Sequence, residues 1–339
     1  MNSREKIRNI LSLKNSGSVG TWIGHPDPAT VDIYTKALGL KNRDELYEYF
    51  DDDCRWVCAE WFTYTHPEDE NKPIWDVYGG KEPKSLGEPG VFAGFTTLQE
   101  VENFDWPDPG HFDFTITMEN IAKQSHKSVF SGLWCCFFQT LHAMFGMENY
   151  FIKTYTHPEV IEATTERMVD FYFQANETFL ELAGDSFDTY FMGNDFGSQL
   201  DTLISLDMFK KFVLPGFKKL IDQAKKHNKK VLLHSCGAID KAIPLIIDAG
   251  VDAIHPIQAK AAGMDAVSLA KKYKDKIAFV GGVDTQDLLV NASAAEVKDE
   301  VKRLIEVLGP NYIVSPSHEW LLPNVPLANV EAMFEAVRE

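Results

Sequence analysis

The chain has 339 residues, with 50 acidic and 33 basic side chains and a formal net charge of −17. This charge argues against nucleic acid and against an anionic membrane surface as partners, because both need a basic footprint. The most apolar stretch is interrupted by Gln139 and His142, so we expect no membrane span. Five cysteines in no paired spacing, and no sign of a secretory leader, favour a cytoplasmic protein.

The N-terminal half predicts few regular elements. Its strand candidates are residues 21–25 and 55–58, followed later by a buried strand or helix start at 129–138 and one long helix over 158–183. Residues 63–115 are rich in proline, glycine and acidic side chains, which predicts an insertion over one rim, with a small hairpin followed by loops. Since no linker or repeat interrupts the chain, we expect a single domain over residues 1–339.

The C-terminal half alternates regularly between strand and helix patterns. The predicted strands are 189–193, 230–234, 252–256, 277–281 and 312–315, and the predicted helices are 207–227, 239–249, 265–273, 294–308 and one from 327. Strands separated by helices imply parallel crossovers, so five such units predict an α/β fold of the (β/α)8 TIM-barrel type. No G-x-G-x-x-G or P-loop pattern follows any of these strands, which argues against a nucleotide-binding fold.

Ligand-type side chains follow each of these five strands. In chain order they are Asn194 and Asp195, His234 and Cys236, His255 and Gln258, Asp284, and His318 with Glu319. In a barrel the carboxyl ends of all strands face one mouth, where TIM-barrel enzymes place their active sites. The pattern therefore predicts an active site at this rim.

His234 and Cys236 predict a metal site within that rim. Residues two apart in a strand point to the same face, so an imidazole and a thiol stand side by side. Both are zinc ligands, and a catalytic zinc needs a third protein ligand with one position left open. His318, directly after the last strand, is the best third ligand, with Asp195 and His255 as competitors. Weaker metal candidates are Cys54 with Cys58, and the adjacent pair Cys135 and Cys136.

Several motifs resemble the uroporphyrinogen decarboxylase superfamily. They are residues 208–215, the segment Leu-Leu-His-Ser-Cys-Gly at 232–237, Phe-Val-Gly-Gly-Val-Asp at 279–284, and the closing 315–318 with 326–329. The similarity covers nearly all of residues 150–339 and, more diffusely, the N-terminal half. It implies a distorted (β/α)8 barrel, in agreement with the strand and helix pattern.

The resemblance implies one of two branches. Uroporphyrinogen decarboxylases hold a polycarboxylate with arginines near the N-terminus, whereas residues 17–26 of this chain contain no arginine. The other branch comprises zinc methyltransferases that work with corrinoid proteins, whose His-x-Cys motif matches His234 and Cys236. Where that branch often reads Pro-Gly-Cys, this chain reads Pro-Ser-His318. The resulting two-histidine, one-cysteine zinc is harder and favours an oxygen ligand over a thiol.

The second branch implies transfer of a methyl group between a small methylated substrate and the cobalt of a corrinoid, or cobalamin, carried by a partner protein. Hardness of the zinc favours an ether donor, with a methoxylated aromatic compound as the best guess. The expected catalytic groups are Asp195 first, then Glu319 and Asp284, and the expected substrate contacts are Asn194, His255, Gln258 and His25.

Three other functions stay open at this point. They are uroporphyrinogen-type decarboxylation, a zinc lyase or hydrolase that uses zinc-bound water without a corrinoid, and a non-catalytic tetrapyrrole-binding barrel. The oligomeric state stays open between a monomer and a homodimer.

Overall fold

Eight parallel strands form a single ring in the computed structural model, which describes residues 1–15, 17–83, 85 and 87–339. The strands are β1 Gly20–Thr21, β2 Cys54–Cys58, β3 Ser128–Gly132, β4 Thr189–Gly193, β5 Lys230–His234, β6 Ala253–Ile257, β7 Ala278–Val283 and β8 Tyr312–Pro316. Each pairs in parallel with its neighbours, in the order β1-β8-β7-β6-β5-β4-β3-β2. Between β1 and β2, the N–H of Asp53 donates to the carbonyl of Thr21 at 2.9 Å. The predicted (β/α)8 barrel is confirmed.

Helices cover the outside of this ring. They are α1 Ser3–Leu11, α2 Pro28–Leu38, α3 Arg43–Phe50, α4 Leu98–Glu102, α5 Thr115–Lys123, α6 Phe137–Phe145, α7 Met147–Thr156, α8 Pro158–Ala183, α9 Leu206–Met208, α10 Leu214–Lys226, α11 Ile243–Ala249, α12 Ala266–Tyr273, α13 Leu288–Asn291, α14 Ala294–Leu308 and α15 Leu327–Arg338. A π-helical turn, Phe209–Val213, joins α9 to α10. No helix in the described ranges is both long and apolar enough to cross a bilayer.

The insertion differs from its prediction. Within its described residues, we find one isolated antiparallel bridge between Tyr64 and Phe112 and the short helix α4, and no hairpin. Proline and glycine interrupt the extended runs there, so the segment packs by its side chains. Trp75, for example, donates its indole N–H to the hydroxyl of Tyr172 on α8, at 2.9 Å.

The barrel interior is closed at the amino-terminal ends of the strands. Polar and aromatic groups ring its mouth at the carboxyl ends. Ile7, Ile10 and Leu11 of α1 are buried against the inward side chains of the strands and plug the amino-terminal end. Trp56 and Trp134 are partly buried residues that pack against the same cluster, toward the carboxyl ends of the strands. The layer above the apolar plug is therefore where a substrate can enter.

A glycine sets the packing of this upper layer. A Cβ at Gly193, the last residue of β4, would lie 2.1 Å from the indole ring of Trp134. Real Cβ atoms do not approach a ring so closely, so only glycine lets Trp134 lie across the end of β4. The indole is thereby fixed over the barrel mouth.

Candidate metal centre

The tripeptide His234-Ser235-Cys236 ends β5 with an imidazole and a thiol on the same side. The Nε2 atom of His234 lies 3.4 Å from the sulfur of Cys236. Ser235 points the other way, and its hydroxyl accepts the N–H of Phe196 at 3.0 Å. This alternation is the side-chain pattern of extended backbone. The two side chains predicted as ligands are therefore neighbours at the mouth.

Asp195, from the loop after β4, joins them. Its Oδ1 accepts the N–H of Cys236 at 2.8 Å and lies 3.5 Å from Nε2 of His234. Its Oδ2 accepts a hydrogen bond from the amide of Gln139 at 2.9 Å. The ligand atoms of Asp195, His234 and Cys236 all lie within 4.8 Å of one another. One nitrogen, one sulfur and one carboxylate oxygen at this spacing form a donor set that suits zinc.

The opposite nitrogen of His234 faces two buried groups. Nδ1 lies 3.1 Å from Nδ1 of His255 and 3.3 Å from Oε2 of Glu319. Neither Oε2 of Glu319 nor Nε2 of His255 makes a hydrogen bond within the described part of the chain, although both are buried. A carboxylate behind a histidine fixes the ring orientation and raises the basicity of the nitrogen that faces a metal. His234 is thus arranged to present Nε2 toward Cys236 and Asp195.

His318 lies at the exposed side of the same group. Its side chain is 40% exposed, and its ring centroid is 6.0 Å from that of His234. Its Nδ1 accepts the N–H of Trp320 at 3.1 Å and lies 3.5 Å from Oε2 of Glu319. Burial lowers the pKa of His318, but a hydrogen bond with Cys236 and the Glu319 charge outweigh burial, so the pKa is raised. His318 as third ligand stays a prediction, and Asp195 is the competitor that the geometry favours.

The charges of the group favour the metal-binding form of the thiol. Burial alone would raise the pKa of Cys236, but hydrogen bonds with His234 and His318 outweigh it and lower the pKa. Burial opposes a charged His234, yet Glu319 and Asp195 outweigh burial and raise its pKa well above the usual value. Burial likewise raises the pKa of Asp195, but the hydrogen bond with His234 outweighs it, so this pKa is lowered. Thiolate and carboxylate are the forms that ligate metals, whereas His234 has to give up its proton when a metal binds.

Two predicted site residues make hydrogen bonds with the backbone. Asn194 is fully buried, where its Oδ1 accepts the N–H of Phe138 at 3.0 Å and its Nδ2 donates to the carbonyl of Cys135 at 2.8 Å. The carboxylate of Asp284 accepts the backbone N–H groups of residues 286–288 at 3.0–3.1 Å. Both side chains bind backbone, and the carboxylate of Asp284 also lies 3.1 Å from Nζ of Lys260. The substrate-binding role of Asn194 and the catalytic role of Asp284 stay predictions.

The other predicted substrate contacts fall in three environments. His255 is fully buried behind His234, and its role as a substrate contact stays a prediction. Gln258 accepts the N–H of Gly237 at 2.6 Å, and its side chain borders an open cavity. His25 lies at the rim with its Nε2 3.2 Å from a guanidinium nitrogen of Arg43. Burial and the charge of Arg43 lower the pKa of His25 to about 4, so it is neutral near pH 7.

A cavity of about 470 Å³ opens beside His318. Its lining consists of Gln258, Thr285, Gln286, Ser317, His318, Trp320, Leu322, Asn324 and Val325. Apart from the imidazole, none of these side chains carries a charge. The cavity suits a small, uncharged molecule with a few hydrogen-bonding groups.

A row of aromatic rings runs from His234 to the outer rim. In order, its members are Trp134, Trp56, Trp61, His25 and Trp320, called here the aromatic row. Neighbouring centroids along it are 4.6–5.2 Å apart, and the ring of Trp134 is 5.1 Å from that of His234. All five side chains are half-buried, so their remaining faces are available to a ligand. Flat apolar groups pack well on such faces.

Sequence reasoning missed two residues of this mouth. Trp134 follows β3 inside the apolar stretch and looked like core. Glu60 comes two residues after β2, at the same position relative to its strand as Cys236 has relative to β5. The sequence analysis looked for ligand-type residues directly after the five C-terminal strands. The same search after the N-terminal strands would have revealed Glu60.

Comparison with known proteins agrees with this architecture. The family model described as uroporphyrinogen decarboxylase (URO-D) matches residues 82–339. Among solved structures, a methyltransferase from Methanosarcina mazei superposes with a TM-score of 0.69, covering 100% of this chain and 98% of its own, at 14% identity. At that identity the likeness concerns the fold.

A curated relative adds a reaction class. A methylated-thiol–coenzyme M methyltransferase from Methanosarcina mazei is 25% identical over 201 residues, which are 57% of this chain and 48% of the relative. The chain thus spans about half the length of the curated relative it matches.

Proposed function

Because the chain belongs to the uroporphyrinogen decarboxylase (URO-D) family, we propose that it is a zinc-dependent methyltransferase of that family. It moves a methyl group from a small methylated substrate to the cobalt of a corrinoid held by a partner protein. The observation that carries the proposal is the group of His234, Cys236 and Asp195 at the barrel mouth, with ligand atoms within 4.8 Å of one another.

The residues present fit a zinc ion. His234 and Cys236 would hold it, with Asp195 or His318 as the third ligand. Oε2 of Glu319, 3.3 Å from Nδ1 of His234, would balance the charge behind that ring. When bound, zinc supplies a Lewis acid that stabilises negative charge on the atom that loses the methyl group. An ether needs this help because its leaving group is an alkoxide or phenoxide.

The chain's own residues bind and orient the donor. The amide of Gln258 and the uncharged cavity beside His318 suit its polar end. The aromatic row offers exposed ring faces to an aromatic donor, and neutral His25 adds no charge to that surface. A methoxylated aromatic compound is therefore the donor class that we propose.

A thiol is the second candidate substrate, because the curated relative is named for methylated thiols and coenzyme M. Zinc–thiolate chemistry favours sulfur when the ligands are soft, and the one cysteine of this group makes its zinc harder than a two-cysteine site would be. The identity of residue 318 therefore influences whether the zinc prefers an oxygen or a sulfur atom of the methyl donor.

The decarboxylase alternative finds less support at this mouth. The cavity beside His318 has neither lysine nor arginine in its lining. The structure does correct one step of the sequence argument, since Arg43 of α3 approaches His25 although residues 17–26 contain no arginine. Arg55 lines the same cavity as Arg43 and His25, but its guanidinium is paired with Asp52 and Glu48. Neither arginine therefore matches the paired guanidiniums that a polycarboxylate needs.

A competition experiment tests the donor. The wild-type protein and His318→Cys are each given an equimolar mixture of a deuteromethyl aryl ether and a deuteromethyl thioether, with a reduced corrinoid protein as acceptor. We expect the wild type to consume the ether and the variant to shift toward the thioether, as seen by mass spectrometry of the two demethylated products. Consumption of the thioether alone by the wild type would select the thiol candidate.

A further inference from the structure

We propose that Glu60 is the acid that protonates the leaving oxygen of the methyl donor, an inference that rests on the proposed methyl transfer. Glu60 lies just beyond the carboxyl end of β2, on the same rim as His234 and Cys236. It borders an open cavity of about 440 Å³ together with Trp61, Phe62 and Trp75. Trp61 belongs both to this cavity and to the aromatic row, so a ligand that extends along the row would pass beside the cavity of Glu60.

The backbone holds the carboxyl group in place. Its Oε2 accepts the N–H groups of Trp134 and Cys135 at 2.9 and 3.4 Å. Because Oε2 accepts both N–H groups, Oε1 is the oxygen that would carry a proton. Trp134 lies between Glu60 and the metal-binding group. Its backbone N–H binds Glu60, and the centroid of its ring is 5.1 Å from that of His234. One residue therefore separates the acid from the metal-binding group.

The surroundings of Glu60 contain no compensating cation. No ion pair to Glu60 occurs within the described parts of the chain, and the titratable groups that face it are Cys58, Cys135, Cys136, Tyr172 and Tyr190. Burial raises the pKa of every one of these thiols and phenols, so they stay neutral near pH 7. Part of Glu60 still reaches solvent through the cavity, so its proton can be replaced.

The protonation state follows from this environment. Burial raises the pKa of Glu60 to about 7, against the lowering effect of hydrogen bonds from Cys135, Trp134 and Tyr172. A carboxyl group with this pKa is half-protonated near neutral pH, which is the range in which general acids work best. Asp195 is a poorer acid, because its pKa is lowered.

The proposed step balances. The bond between the methyl carbon and the ether oxygen breaks, and its electron pair stays on the oxygen, which takes the proton from Glu60. The methyl carbon bonds to the cobalt of the reduced corrinoid, which supplies the new electron pair and is oxidised from cobalt(I) to cobalt(III). Solvent then reprotonates Glu60 through the cavity.

The leaving group of the donor tests the step. We compare wild type, Glu60→Gln and the control Glu70→Gln, an exposed carboxyl of the insertion, on methoxyarenes whose phenols span a wide range of acidity. Loss of a general acid costs typically 10²–10⁴-fold in rate. We expect Glu60→Gln to lose about 10²-fold on donors with weakly acidic phenols and little on donors with strongly acidic phenols. An equal loss across the series would mean that Glu60 only positions Trp134, and would overturn the proposal.

The pH dependence gives a second readout. Since the acid form is active, the wild-type rate on a poor leaving group falls as pH rises through about 7, and Glu60→Gln loses this limb. Glu60→Asp keeps a carboxyl group and is expected to keep the limb with a lower rate. Circular dichroism and zinc content, unchanged in both variants, exclude misfolding as the cause.

A spectroscopic measurement stands apart from turnover. Infrared difference spectra of wild type minus Glu60→Gln should show a protonated carboxyl band that disappears as pH rises through about 7. If Glu60 is ionised throughout pH 5 to 8, the proposal fails whatever the reaction. If the band titrates as expected but no donor yields methyl transfer, the proposed function fails and Glu60 is left without its acid role.

Discussion

At the scale of single residues, His234 connects the two halves of the group that we propose to bind zinc. Its Nε2 faces Cys236 and Asp195, and its Nδ1 faces His255 and Glu319. The buried side therefore holds the ring, and the open side presents a ligand atom. The sequence offered His255 as an alternative third ligand. Its place on the buried side of His234 suits it better to hold the ring of His234 in position.

Zinc content checks the assignment of the first two ligands. Purified protein loaded with zinc should retain about one ion per chain, and His234→Ala or Cys236→Ala should lose most of it, because either change leaves too few ligands for a stable site. Elemental analysis after gel filtration measures the ion. Cys54→Ala is the matched control, since that thiol is buried in the barrel interior. Equal zinc in control and ligand variants would place the ion elsewhere.

The third ligand follows from the same measurement on two further variants. Asp195→Asn should weaken zinc retention more than His318→Ala if the tighter group of three is the one that binds, whereas the reverse order supports the two-histidine set predicted from the sequence. Cobalt substitution adds a direct view, because the absorption of a bound cobalt ion responds to each change of ligand.

For individual residues, the sequence predicted side-chain placement well where the periodicity of a strand applied. The side-by-side placement of His234 and Cys236 follows from the two-residue repeat of a strand. The role of Asp284 did not follow from the sequence, because a carboxylate after a strand can equally well bind the N–H groups at the start of the next helix. Only the structure shows that the carboxylate oxygens of Asp284 accept these N–H groups.

At the scale of elements, helix boundaries were predicted best where the caps are strong. Ser293 and Glu296 form a reciprocal capping box, and α14 begins at Ala294 as predicted. The helix predicted from residue 239 begins instead at Ile243. Asp240 binds Lys272 through its carboxylate, and residues 240–242 form a turn in which the N–H of Ala242 donates to the carbonyl of Ile239. The helix predicted over 207–227 contains a π-helical turn that periodicity does not reveal.

The end of β4 offers a test of how elements shape the mouth. Gly193→Ala should push the indole of Trp134 away, because the added Cβ would lie 2.1 Å from the ring. Overpacking of this kind costs about 1–3 kcal/mol in the free energy of unfolding. Denaturant unfolding gives that cost, and tryptophan fluorescence reports the displaced ring.

Gly94→Ala is the control for this change. Gly94 is exposed, and an added Cβ there meets no described atom within 4 Å. We expect its stability and fluorescence to match the wild type. If Gly193→Ala also matches, then Trp134 is free to move and does not fix the mouth.

At the scale of the whole molecule, the alternation of strands and helices determined the fold class, and the barrel then gathered distant residues at one mouth. His234 ends β5, and Asp195 and His318 lie in the loops that follow β4 and β8. The three residues meet because parallel strands all end on the same side. The N-terminal contributions were harder to foresee. β1 pairs over only two residues, and Trp56, Trp61 and Glu60 sit in a region whose sequence lacks a regular period.

The net charge of −17 also acts at this scale. Complementary charge speeds the encounter of two proteins and makes it sensitive to salt. A corrinoid-carrying partner would therefore associate faster if its docking face is basic, and the association rate would then fall as ionic strength rises.

The measurement that tests the central claim most directly is methyl transfer to cobalt. The zinc-loaded protein, a reduced corrinoid protein and a methoxylated aromatic compound are mixed under anaerobic conditions, and the absorbance of cobalt(I) and methylcobalt(III) is followed. We predict one methylcobalt and one free phenol for each methyl group transferred, with no reaction when His234→Ala replaces the wild type. Release of carbon dioxide from uroporphyrinogen, with no methylcobalt from any ether or thioether donor, would contradict the account and select the decarboxylase branch.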